Sequence, residues 1–177
     1  MTNRRAKAVR GFTLIELMVT AAILGVLASV AIPEFELFMI RSKVAERPLV
    51  MKRIKQGVDD LYRMERLLPG TDIVGTYQPA GTPGNMKRPP DFTQPGWTQV
   101  FSSFADIEGT LYYSYSFQHH EGNAGEPSTL LVVAVGDLDG DGLQSVRWDF
   151  YQRDSQGLYQ QVGRYPATPD LDDSAGF

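Results

Sequence analysis

Three short stretches hold the side chains whose type and spacing could do chemistry. Glu16 is the one ionisable residue within 12–32, an otherwise apolar and small-residue run. A carboxylate inside a membrane helix costs ~2.5 to 3.5 kcal/mol and calls for a partner, yet the run contains no lysine or arginine. A cut between Gly11 and Phe12 would supply one. The new α-amine, with an intrinsic pKa near ~8, would start the helix four residues before Glu16, where the helix dipole also favours an anion. The second stretch is Gly136-Asp137-Leu138-Asp139-Gly140-Asp141-Gly142. Asp137, Asp139 and Asp141 match positions one, three and five of a DxDxDG calcium loop, with Gly142 at the turn and Leu143 offering its carbonyl. Trp148 stands where such a loop has its bidentate glutamate, with Asp149 beside it. The same residues also read as a solvated hairpin turn, for which Asp-Gly pairs are favoured. The third stretch, His119-His120-Glu121, carries both histidines of the chain. It could attract a metal, but a lone loop pair reads more simply as solvent-facing polar residues.

Composition narrows the function classes. At 177 residues the chain holds one compact domain plus an extension. Zero cysteines exclude disulfides, thiolate nucleophiles and cysteine-ligated zinc. No Gly-x-Ser-x-Gly, His-Glu-x-x-His or phosphate-binding glycine loop accompanies the histidines, so the reading is not enzymatic. Charge is uneven. Arg4, Arg5, Lys7 and Arg10 take four of the 17 basic side chains, leaving 13 against 21 acidic ones, a net of minus 8 for the body. A body that acidic repels phosphate backbones, so general nucleic-acid binding is not expected.

The elements that must position these groups begin with residues 12–32, which as a helix would span ~30 Å, the thickness of a bilayer core. Basic residues before the run and Glu34 and Glu36 after it orient the chain N-in, C-out. A cleaved secretory signal and a plain signal anchor begin alike, but the run exceeds the ~7 to 15 residue core of a signal peptide and contains an acid. The basic leader, Gly11 and the sequence Phe12-Thr13-Leu14-Ile15-Glu16-Leu17-Met18 resemble the type IV prepilin signature, over residues 1 to 35. The resemblance implies an inner-membrane single-pass precursor, cut after Gly11 by a prepilin peptidase that methylates Phe12. It then implies a periplasmic or cell-surface filament of pilin or pseudopilin subunits, built at an inner-membrane assembly platform. In it Glu16 pairs with the terminal amine of a neighbouring subunit. Gly25 and Pro33 fall where pilins commonly carry helix breakers. Glycine weakens a helix by ~1 kcal/mol relative to alanine and proline removes a backbone bond, so local melting in the filament is implied. The resemblance leaves pilus and type II secretion pseudopilus open, and pseudopilins often bind calcium. A minor pilin or pilin-like subunit is favoured, because Pro48 and the proline-rich loop look specialised. An alternative of another class is a membrane-anchored, calcium-dependent binding module that does not polymerise.

The whole chain then divides into a leader (1–11), a membrane and filament-core helix (12–33), an amphipathic stalk helix (34–68), a helix-to-sheet loop region (69–110), a sheet head (111–165) and an acidic tail (166–177). Val50, Ile54, Val58, Leu61 and Leu68 trace one face of the stalk. Arg41, Lys43, Arg47, Lys52, Arg53 and Lys55 make a basic opposite face, and Pro48 predicts a kink or break near 47–48. Trp97, Phe101 and Phe104 suggest a short helix anchoring the loop. Four β-prone runs follow at 111–118, 129–135, 144–152 and 158–165, the second apolar enough to be buried on both faces. The fold class is α+β: a long N-terminal helix, partly transmembrane, packed on a four-stranded antiparallel sheet, type IV pilin-like.

Overall fold

The computed structural model describes residues 11–64, 72–101, 107, 109–123 and 125–165. The leader before Gly11, Leu68, Phe104 and the acids of the tail lie outside the described residues. The chain forms two compact units, one up to Met39 and one from Ile40 onward.

The first unit carries most of α1 (Leu14–Val44), a helix that runs through both Gly25 and Pro33. No residue of α1 is buried. A helix apolar on all sides finds its cover in lipid or in other chains, and this one is long and apolar enough to cross a membrane.

The second unit is built on α2 (Glu46–Arg63), β1 (Ile73–Gln78), α3 (Trp97–Phe101), β2 (Ser114–His120), β3 (Thr129–Gly136), β4 (Ser145–Arg153) and β5 (Tyr159–Tyr165). The strands form an antiparallel sheet in sequence order. The expected long helix on an antiparallel sheet is present, but with five strands instead of four. The added strand, β1, lies inside 69–110, where prolines and glycines mask the β-branched and aromatic residues of Ile73-Val74-Gly75-Thr76-Tyr77. An edge position tolerates such breakers.

The break expected near 47–48 falls slightly earlier in the chain. The interruption falls at Ala45, and α2 restarts at Glu46 with Pro48 in its first turn. There a missing N–H is harmless, because first-turn donors have no helical acceptor. The bond that proline removes is the one to Val44, and the first helix ends at that residue.

Val50, Ile54, Val58 and Leu61 are buried as the periodicity requires, joined by Met51. They pack with Tyr115, Phe117, Leu130, Val132 and Ala134 of the sheet, each fully buried aliphatic worth ~1.5 to 3 kcal/mol. Two expectations are corrected. β3 is fully covered on one face and half-covered on the other, since buried and half-buried residues alternate from Thr129 to Ala134. Arg47, assigned to the basic outer face, is buried, with its guanidinium over the Tyr113 ring.

Trp97 does anchor the loop. Its indole N–H donates to the Thr76 carbonyl at 2.6 Å, and its ring stacks on Phe101 and meets Phe117 edge-on. Gly57 lets α2 approach α3, because a Cβ there would stand 2.6 Å from Val100 Cγ1 and 3.0 Å from the Val100 carbonyl.

Candidate functional site

Gly11, Phe12 and Thr13 precede the first turn of α1, so the Gly11–Phe12 bond lies outside the helix and is exposed. Glu16 then has a local partner that the sequence reading did not assign. Its Oε2 accepts from the Thr13 backbone N–H at 2.9 Å and from the Thr13 hydroxyl at 2.7 Å, while the Glu16 N–H donates to Thr13 Oγ1 at 3.3 Å. This is a capping box, the Thr-x-x-Glu pattern that satisfies helix-start donors reciprocally. Its signal is local, the Thr-x-x-Glu spacing of Thr13-Leu14-Ile15-Glu16. The capping bonds leave Glu16 a negative charge at a helix N-terminus, still able to attract an amine.

The three aspartates converge in the β3–β4 connection, with carboxylate oxygens within 4.8 Å of one another. Each also caps a backbone N–H: Asp137 accepts from Gly140 at 2.8 Å, Asp139 from Asp141 at 3.2 Å and Asp141 from Leu143 at 2.7 Å. Asp137 is buried and the other two are exposed. Lys43 Nζ donates to the Leu138 carbonyl at 3.2 Å, placing a fixed cation beside the turn. Gly140 and Gly142 both take positive φ, which lets the chain reverse. The donor set suits an oxygen-seeking divalent ion and equally satisfies its own turn.

The adjacent histidines cannot converge on a metal, because neighbours on a strand point to opposite faces. His120 faces outward to Asp72, with Nδ1 2.9 Å from Oδ1. His119 is buried, its Nε2 2.7 Å from the Tyr159 hydroxyl and 3.1 Å from that of Tyr62. Glu121 joins them by accepting from Tyr62 and, at 3.0 Å, from Ser128. The group ties the end of α2 to the sheet, so for His119 the solvent-facing reading is corrected.

Residues 6–32 match the family described as the prokaryotic N-terminal methylation motif. The chain is 38% identical over 71 residues to a type IV major pilin protein of Neisseria gonorrhoeae, covering 40% of this chain and 33% of that one. It is 36% identical over 76 residues to a fimbrial protein of Pseudomonas aeruginosa, covering 43% of this chain and 46% of that one. A type IV major pilin protein of Myxococcus xanthus is 53% identical over 45 residues, 25% of this chain and 20% of that one. Over these N-terminal residues the chain is similar to type IV pilins. The matches span a third to just under half the length of the first two relatives, and no solved structure matches.

A further acid holds the sheet to the helix. Glu46, in the first turn of α2, accepts from the Tyr112 N–H at 2.9 Å, the Tyr113 N–H at 3.4 Å and the Tyr115 hydroxyl at 3.3 Å. Burial pushes its carboxyl above the usual glutamate value, although these bonds and Lys87 oppose the shift. Its hydrogen-bond partners lie more than 60 residues away, so no local pattern marks it.

Proposed function

We propose that this chain is a structural subunit of a type IV filament, probed most directly at its N-terminus. It is made as a membrane-anchored precursor, cut after Gly11 by a prepilin peptidase and methylated on Phe12. Glu16 then pairs with the Phe12 amine of a neighbouring subunit, and the apolar face of α1 enters the filament core. Gly25 and Pro33 are the points at which that helix yields on assembly. The observation that carries this reading is the coincidence of the methylation motif at 6–32 with a helix that has no buried residue in its own chain. Among filament subunits, a minor pilin fits the interrupted helix and the long loop before β2. Mass spectrometry of the mature N-terminus tests it: N-methyl-Phe12 is the expected result, and an intact leader overturns the reading.

A second reading concerns the head. Asp137, Asp139 and Asp141, with the Leu143 carbonyl, are proposed to hold calcium, because their carboxylates already converge. Calcium would then raise the unfolding temperature of the head relative to chelator, and an unchanged temperature removes the ion.

A further inference from the structure

A groove of about 540 Å³ lies on the sheet face opposite α2, beside the chain that leaves β1. That size falls within the ~300 to 1,000 Å³ of small-molecule sites. Its floor follows from the strand register. Ser114, Val135 and Val146 are partners across β2, β3 and β4, and the adjacent Tyr115 and Ala134 point into the core. Alternation therefore turns the first three outward. Ser114 and Val135 are nonetheless only 1% and 9% exposed, where residues 81–83 stand over this end of the sheet.

The wall is held in place from behind. Arg88 donates from Nη1 to the Ala80 carbonyl at 2.9 Å and from Nη2 to Ser114 Oγ at 2.7 Å, and Ser114 donates to the Pro79 carbonyl at 2.8 Å. Two backbone bonds to Leu111 fix Arg88 in turn. A pre-formed wall lowers the ordering cost of binding.

The rim has unspent polar groups. Tyr77, Thr82 and Gln144 line the groove and are exposed, and none of their side chains bonds to another described residue. Among the described residues that line it, none is charged. An ionic ligand would give up water there without gaining a counter-ion, and an apolar one would leave the carboxamide and hydroxyls without partners. Two hydroxyls and a carboxamide can each donate and accept, and the Tyr77 ring adds a flat apolar surface. A neutral sugar matches both, with hydroxyls at its edge and C–H groups on its face.

We propose that this groove binds a neutral oligosaccharide, with a sugar face on the Tyr77 ring and sugar hydroxyls bonded to Thr82 and Gln144. The site lies wholly within the second unit and does not depend on the filament reading above.

Titration calorimetry of the full-length protein tests it, in lauryldimethylamine oxide, a detergent without a sugar headgroup. The probes are cellotetraose, maltotetraose, mannotetraose and the N-acetylglucosamine tetramer, with tetragalacturonate as the charged control. At least one neutral probe is expected to bind, at least tenfold more tightly than the galacturonate. Tyr77→Ala should weaken that binding at least tenfold, and Gln144→Ala several-fold. Both side chains are exposed, so the unfolding temperature should stay unchanged. Tyr77→Phe keeps the ring and should retain most of the affinity, which separates stacking from any loss of fold. Silence from every neutral probe overturns the proposal, as does galacturonate binding of equal strength. So does binding that Tyr77→Ala and Gln144→Ala both leave intact. A proline decamer that binds in a Tyr77-dependent way while the sugars do not would overturn it too, assigning the groove to an extended peptide.

Discussion

Glu16 does two jobs that separate by partner. To Thr13 it is a helix cap, worth ~1 kcal/mol where such caps have been removed. In the proposed filament it is also the acid for a neighbouring subunit's amine, which exists only after cleavage. Glu16→Gln keeps an acceptor for Thr13 and removes the charge, so the pairing account expects normal processing with filament incorporation down at least several-fold. Immunoblotting of sheared filaments against whole cells reads both, and normal incorporation by that variant would sink the pairing. Glu46 is an acid of another kind, legible only in the fold. Burial raises its folded-state pKa, so the folded head binds its proton more readily than the unfolded chain does. The stabilisation from that proton is full below the ordinary glutamate value and fades as pH rises through the shifted one. Unfolding temperature measured across this acidic window should show that slope in the parent, and Glu46→Gln should flatten it.

Among the elements, the helices were the most readable, because a 3.6-residue apolar period survives in any local context. Their interruption was not placed correctly. Proline announces the lost bond, but the helix gives way at the orphaned acceptor, Val44, and at Ala45 after it. On the sheet, the β-prone runs located β2 to β5 within three residues at each end, but a period of two does not say which face turns inward. Val146, Trp148 and Phe150 alternate as a core stripe would, and Trp148 and Phe150 are exposed while Arg147, Asp149 and Tyr151 are buried. The inward side of β4 is polar because Asp149 there pairs with Arg147 and Arg164. Tyr151 shows the effect of that setting, its hydroxyl pushed up to about 12 by burial and by Asp149. Where α2 meets α3, Gly57→Ala gains ~1 kcal/mol of helix propensity but forces its methyl onto Val100, an overpacking cost of ~1 to 3 kcal/mol. Net destabilisation is expected, seen as a lower midpoint in urea with an unchanged slope.

At the scale of the molecule, the hydrophobic core among the described residues lies in the second unit, drawn from α2, α3, the sheet and the segments next to its strands. A chain beginning at Ile40 should therefore fold, stay soluble and keep the near-ultraviolet circular dichroism of its buried aromatics. Loss of that signal would show that the apolar helix contributes to the core. The sequence by itself determined the membrane-length helix, the position of Glu16 and the acidic turn, because each is written in neighbouring residues whose spacing sets their chemistry. Only the tertiary structure decided that β1 joins the sheet, that His119 and His120 part company, that Glu46 is clamped by the Tyr112 and Tyr113 backbone, and that Asp149 pairs with both Arg147 and Arg164. Those contacts close over tens of residues, and no local period encodes which strand face turns toward the helix. That choice follows from how the two amphipathic layers cover each other's apolar surface.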